Sequence, residues 1–115
     1  MWRGWFREVG AMIFEVIWIH FIADFVLQSD TMAKNKSSSN KWLLIHCAIY
    51  AAPFLWFGWK YAAINGAAHF ATDWITSRGA AALWKKGERH WFFVLIGFDQ
   101  AVHLTTLVAT AGYAL

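Results

Sequence analysis

The stretch NGAAHFATDWITSR, Asn65–Arg78, decides how this chain is read. It is rich in alanine and glycine, yet it carries Asn65, His69, Thr72, Asp73, Thr76 and Ser77. On a helix turning about 100° per residue, Asn65, Gly66, Thr72, Thr76 and Ser77 lie within roughly 80° of the His69/Asp73 direction. The polar groups therefore make one stripe. A helix of this kind suits neighbouring helices better than lipid, because small residues let backbones approach closely. The spacing predicts a central bundle helix over about 61–79.

The rest of the composition tells what surrounds that helix. Hydrophobic residues make up 59% of the 115 positions and charged residues only 15%, where a soluble domain has about a quarter charged. Nine tryptophans and ten phenylalanines are too many to hide in a core this small. Lipid is the expected home for that surface. The net charge of +3 comes from short basic clusters between apolar runs. These suit anionic headgroups, whereas nucleic acid would need a continuous basic face. The single Cys47 lies in an apolar run and reads as a small buried hydrophobe.

A membrane helix needs about 20 largely apolar residues. The expected spans are 9–28, 41–59, 61–79 and 91–114, giving one all-α domain over 1–115, a polytopic four-helix membrane bundle. Met1–Arg7 is basic, as in a signal peptide, but Glu15, His20 and Asp24 follow without a small-residue cleavage site, so the first segment reads as a retained helix. Ser29–Asn40 (SDTMAKNKSSSN) reads as a loop. Pro53 should kink the second helix. Arg78-Gly79 reads as a stop, with a short interfacial helix between the third and fourth spans, over 80–90.

Lysine and arginine set the orientation. Arg3, Arg7 and Lys60 fall on one side. Lys34, Lys36, Lys41, Arg78, Lys85, Lys86 and Arg89 fall on the other, which should be cytoplasmic. Loops 29–40 and 80–90 then face the cytoplasm, in an inner (cytoplasmic) membrane. Trp2, Trp5, Trp56 and Trp59 mark the outer edge, and Trp42, Trp84 and Trp91 the inner one.

The chemistry lies in a repeated spacing. The first span carries His20 and Asp24, the second His46, the third His69 and Asp73, and the fourth Asp99 and His103. An i, i+4 pair shares one helical face, and all four spans place these groups in the same half of the bilayer. A carboxylate at bilayer depth costs roughly 2.5–3.5 kcal/mol even on a lenient scale. Either His–Asp hydrogen bonds or a bound cation must compensate. His and Asp together suit a divalent transition metal, zinc first, then iron or manganese. His20, Asp24, His46, His69, Asp73, Asp99 and His103 are the candidate ligands, for one ion or for two sharing a carboxylate. Gln28, Asn65, Ser77 and Gln100 are candidate supporting donors, although such groups also simply join helices. Arg78, Lys34 and Lys36 are candidates for a phosphate headgroup, against the plainer reading of positive-inside anchors. His90 reads as a solvated residue.

The strings HFIADFVLQSDTMAKNK (20–36), NGAAHFATDWITSR (65–78) and IGFDQAVHLTTL (96–107), with the lone His46, resemble domain of unknown function family 3307. The resemblance covers nearly the whole chain. It implies a small polytopic membrane protein of bacterial or phage origin and lends no activity. A fainter likeness links the helix-borne His and Asp to membrane-bound metal-dependent hydrolases, by analogy alone.

The expected function is a metal-dependent hydrolase acting on a lipid or lipid-linked ester or phosphoester, with His46 or Asp99 as the catalytic base. A metal-ion or proton transporter would use the same residues, but it calls for polar groups through the full membrane thickness. A third reading is a phage interaction or lysis-type protein. Expected partners are membrane lipids and a lipid-linked substrate, not nucleic acid, with homo-oligomers open.

Overall fold

The computed structural model describes residues 2–114, and for 2–6 and 8 the backbone alone. The expected positions of the Trp2, Trp5 and Arg3 side chains lie outside the described residues. Among these residues every regular element is helical. Helix α1 covers Trp2–Phe21 and runs into a π-helical turn, Ile22–Val26. Helix α2 is Asp30–Asn35 and α3 is Asn40–Ala51. After α3 a 3₁₀ stretch, Ala52–Phe57, leads to α4, Trp59–Lys85. Helix α5 is Arg89–Ala109, followed by a short 3₁₀ turn, Ala111–Tyr113. The molecule is elongated, 49 × 27 × 20 Å.

Three local features differ from the sequence expectation. Ser29–Asn40 is not an irregular loop. The Ser29 hydroxyl accepts from the Met32 amide and starts α2, and Ser39 likewise accepts from Trp42 at the start of α3. These are the N-cap roles serine favours. Helix α4 also runs through Arg78-Gly79 as far as Lys85, so no separate interfacial helix follows it. The reason is packing. A Cβ on Gly79 would lie 2.9 Å from Leu95 Cδ2, so this glycine lets α5 approach and does not end the helix. The turn comes later, at Gly87, with φ 75°. Pro53 does break the helix, by turning it into the 3₁₀ stretch and not by a simple bend.

Helical periodicity is visible in what each helix buries. On α4 it is Tyr61, Ala62, Asn65, His69, Asp73, Thr76 and Ala80. On α5 it is Asp99, His103 and Leu107. Helix α1 contributes Val9, Met12, Val16 and His20, and α3 contributes Leu43, His46, Cys47 and Tyr50. Gly66 brings α3 within reach of α4, since its missing Cβ would sit 3.1 Å from that of Ala51. The distribution is inverted relative to a soluble bundle. Asp24, Asp73 and Asp99 are buried, while Phe14, Trp18, Trp56, Ile75, Phe93 and Phe98 are more than half exposed. Two helical segments, Val9–Val26 and Arg89–Ala109, are long and apolar enough to cross a membrane.

Candidate metal centre

Four helical elements bring their His and Asp residues to one place. The π-turn carries Asp24, α3 carries His46, α4 carries His69 and Asp73, and α5 carries Asp99 and His103. In the π-turn the Leu27 amide bonds back to the Ile22 carbonyl, five residues earlier, which widens the helix at Asp24.

The tightest contact set is formed by four atoms. His46 Nε2 is 3.0 Å from His69 Nε2 and 3.1 Å from Asp24 Oδ1. His69 Nε2 is 3.5 Å from Asp24 Oδ1, and both imidazole nitrogens lie 3.7 Å from Asp73 Oδ2. Ligand bonds of about 2.0–2.1 Å around a tetrahedral ion set donor atoms about 3.3 Å apart, and these five separations of 3.0–3.7 Å bracket that value. Protons satisfy the arrangement poorly. A carboxylate only accepts, so the single hydrogen of His46 Nε2 cannot serve Asp24 and the facing His69 nitrogen equally well. A cation could be shared by such lone pairs, and three groups of three come close enough together to hold one: Asp24, His46, His69; His69, Asp73, His103; and Asp24, Asp99, His103.

Around this set lies a directed chain of hydrogen bonds. The Gln100 carbonyl oxygen can only accept, so His20 Nε2 donates to it at 2.6 Å. His20 Nδ1 then accepts from the Tyr50 hydroxyl at 2.9 Å in the neutral ring. Gln100 Nε2 donates to Asp24 Oδ2 at 3.0 Å and to Asp99 Oδ2 at 3.2 Å. The Thr76 hydroxyl donates to Asp99 Oδ1. Three rings form a column in which His69 stacks between Tyr50 at 3.9 Å and His103 at 4.0 Å, centroid to centroid.

The centre is the floor of a cavity of about 690 Å³. Asp24, Asp73, Asp99 and Gln100 reach it from below. Phe25, Ala80, Ala81, Trp84, Phe92 and Ile96 supply its apolar lining, and Lys34, Lys36, Ser37, Ser38 and Lys85 supply basic and hydroxyl groups. On the far side of the centre the bundle is closed by Phe54, Tyr61 and Leu107, all 1% exposed or less. The Tyr61 hydroxyl donates to the Leu107 carbonyl there.

The expected residues separate into those the structure gathers and those it does not. Asp24, His46, His69, Asp73, Asp99 and His103 meet. His20 adjoins them, but both ring nitrogens are already engaged, and it belongs to none of the three ligand groups. His46 is fully buried and does not line the cavity, so it is placed to hold an ion and not to meet a substrate. Lys36 enters the cavity, with Nζ 3.1 Å from Asp73 Oδ2, an ion pair without hydrogen-bond geometry. Lys34 lines the cavity as well. Arg78 does not. It is held outside by Asn40 Oδ1 and the Trp74 carbonyl, with its guanidinium 4.2 Å above the Trp74 ring. Gln28 Oε1 and Ser77 Oγ are buried at the cavity without partners among the described residues. Asn65 lies away from the centre, joining α4 to α5 through Tyr61 and Thr110.

Tyr50 and Thr76 were not among the expected site residues. Both signals were available: Tyr50 lies one turn past His46, and Thr76 three residues past Asp73.

The match to known proteins agrees with the resemblance in the motifs. The model of a family described as protein of unknown function (DUF3307) matches residues 12–114. The chain belongs to that family. No curated protein and no solved structure matches it.

Proposed function

We propose that this member of the DUF3307 family is a metal-dependent hydrolase embedded in the bacterial inner membrane, acting on a lipid or lipid-linked ester or phosphoester. The cavity carries the reading. It is lined by the carboxylates Asp24, Asp73 and Asp99 of the candidate metal centre, by the lysines Lys34, Lys36 and Lys85, and by an apolar set that includes Trp84 and Phe92. An amphiphile with an anionic head matches all three surfaces.

The membrane reading draws on the inverted surface and on length. Four crossings are α1 with its π-turn, α3 with its 3₁₀ continuation, α4 and α5. The α3 segment and its continuation rise about 30 Å together, equal to a hydrocarbon core. Lys34, Lys36, Lys41, Arg78, Lys85, Lys86 and Arg89 mark the cytoplasmic side. The cavity opens there.

Asp24, His46, His69 and Asp73 hold the ion, zinc first among the candidates, with iron and manganese the alternatives. The ion supplies Lewis acidity and makes water acidic enough to ionise near neutral pH. Asp99 is the catalytic carboxylate that faces the substrate. It reaches the cavity, stands outside the four-atom set, and is oriented by Thr76 and Gln100. Lys34, Lys36 and Lys85 draw in the anionic head. Arg78 has no part in this.

An ion path uses the same cluster but needs polar groups on both sides of it. The closure by Phe54, Tyr61 and Leu107 favours a one-sided pocket. The test is elemental analysis of detergent-purified protein, followed by phosphate release from a lipid phosphoester by wild type and Asp99→Asn. Metal with turnover in the wild type, lost in the variant, supports the reading. Metal-free protein overturns it.

A further inference from the structure

The cluster holds more ligand atoms than one ion uses, and the surplus points to the cavity. Asp24 turns its two oxygens in different directions. Oδ1 faces His46 and His69, while Oδ2 faces Gln100 Nε2, which also touches Asp99 Oδ2. On that second side Asp24, Asp99 and His103 come within ligand-sharing distance of one another. His103 is 3% exposed, and its Nε2 lies 3.2 Å from Asp99 Oδ1 without a hydrogen bond to it or to any other described residue. A buried imidazole nitrogen aimed at carboxylates and left unpaired needs a partner. Asp24 and Asp99 line the cavity, as Asp73 of the first set does, whereas His46, His69 and His103 stand behind them. An ion at the second position would thus have two of its three ligands at the cavity surface.

Charge decides when it is filled. Asp24, Asp73 and Asp99 are each 6% exposed or less, and their ionised forms would place three negative charges in one small buried volume. One divalent ion and the Lys36 ammonium at Asp73 cancel them. A second divalent ion alone leaves two uncompensated positive charges in a poorly hydrated site, which is costly. A phosphate dianion removes that excess. A neutral carboxylic ester does not.

We propose that Asp24, Asp99 and His103 form a second divalent-cation site, with Asp24 bridging, that fills together with a phosphate dianion, making a phosphomonoester the substrate class. The proposal rests on the metal reading of the first site.

Metal content per chain is measured after desalting, in phosphatidylcholine nanodiscs loaded with Mn²⁺. The arms are no addition, inorganic phosphate, and phosphatidic acid in the disc. Wild type retains one ion alone and two with phosphate. The two-ion state shows the electron paramagnetic signal of a coupled manganese pair, expected at about 3.5–4 Å separation. His103→Gln stays at one ion in every arm, with wild-type helicity by circular dichroism. A rise with phosphatidic acid alone assigns the anion to a lipid head, and a rise only with inorganic phosphate to a soluble one. One ion in every wild-type arm overturns the second site and leaves the first. Two ions without phosphate overturn the charge coupling. A His103→Gln protein that still binds two overturns the ligand assignment, and no retained ion removes both sites.

Discussion

His46 Nε2 and His69 Nε2 face each other at 3.0 Å, from different helices, with Asp24 Oδ1 beside both. Neither Nδ1 has a partner among the described residues. Two imidazoles turned nitrogen to nitrogen over a carboxylate describe a position for a cation more directly than either His–Asp pair does.

Asp73→Asn should therefore remove metal and spare the fold. The apolar core, which includes Val9, Val16, Tyr50, Phe54, Tyr61 and Leu107, does not include Asp73, so helicity should be unchanged. Affinity for Zn²⁺ should fall by more than about 100-fold, beyond what losing an outer partner costs. Competition with a chelating dye measures it, and an unchanged affinity would remove Asp73 from the ligand set.

Gln100 acts on the ligands from outside. Gln100→Leu removes the donor to Asp24 and Asp99 and the acceptor for His20. Metal affinity should drop about 10–100-fold. Stability should fall by about 1–3 kcal/mol from the unpaired groups left behind. Thermal unfolding with and without Zn²⁺ separates the two effects.

Lys36 competes with the ion at Asp73. Lys36→Met deletes an ammonium 3.1 Å from Asp73 Oδ2. Binding of the first divalent ion should tighten about tenfold or more, because two like charges no longer share one carboxylate. Isothermal titration in the same nanodisc tests this, and weaker binding would show that Lys36 supports the site.

Most of this centre was legible in the sequence because the i, i+4 spacing survives wherever the helix is regular. His69 with Asp73 on α4, and Asp99 with His103 on α5, are placed as that spacing requires. His20 was less legible. A π-turn begins two residues after it, and no spacing rule reveals that its nitrogens go to Tyr50 and Gln100. Arg78 misled for a different reason. Asn40, distant in sequence, bonds its guanidinium and holds it away from the cavity. The run from Ser29 to Asn40 looked irregular because its serines were read as helix competitors, when two of them are caps. Gly79 looked like an end, when it is a contact.

The glycine contacts give a packing test. Gly66→Leu forces a side chain into the backbone approach between α3 and α4, where Ala51 Cβ would be 3.1 Å from the new Cβ. A loss of about 1–3 kcal/mol is expected. Gly79→Ala meets only the flexible end of Leu95 and should cost less. Thermal melts of the two variants rank them, and the reverse order would contradict the packing.

Topology can be read with a thiol reagent that does not cross membranes. Cys47 is buried and should stay silent. Ser38→Cys should label only from the cytoplasmic side and Lys60→Cys only from the opposite side, both positions being exposed. Labelling of both from one side would overturn the four-crossing arrangement.

The widened turn at Ile22–Val26 is the form an α-helix takes around one extra residue. Removing a residue there, other than Asp24 itself, would let ordinary α-helical bonding resume while the helix before it kept nearly its present facing, so Val16 and His20 would stay inside. A single deletion in the middle of α1 has no such outlet and would swivel everything before it by about 100°. The first deletion should thus do less harm than the second.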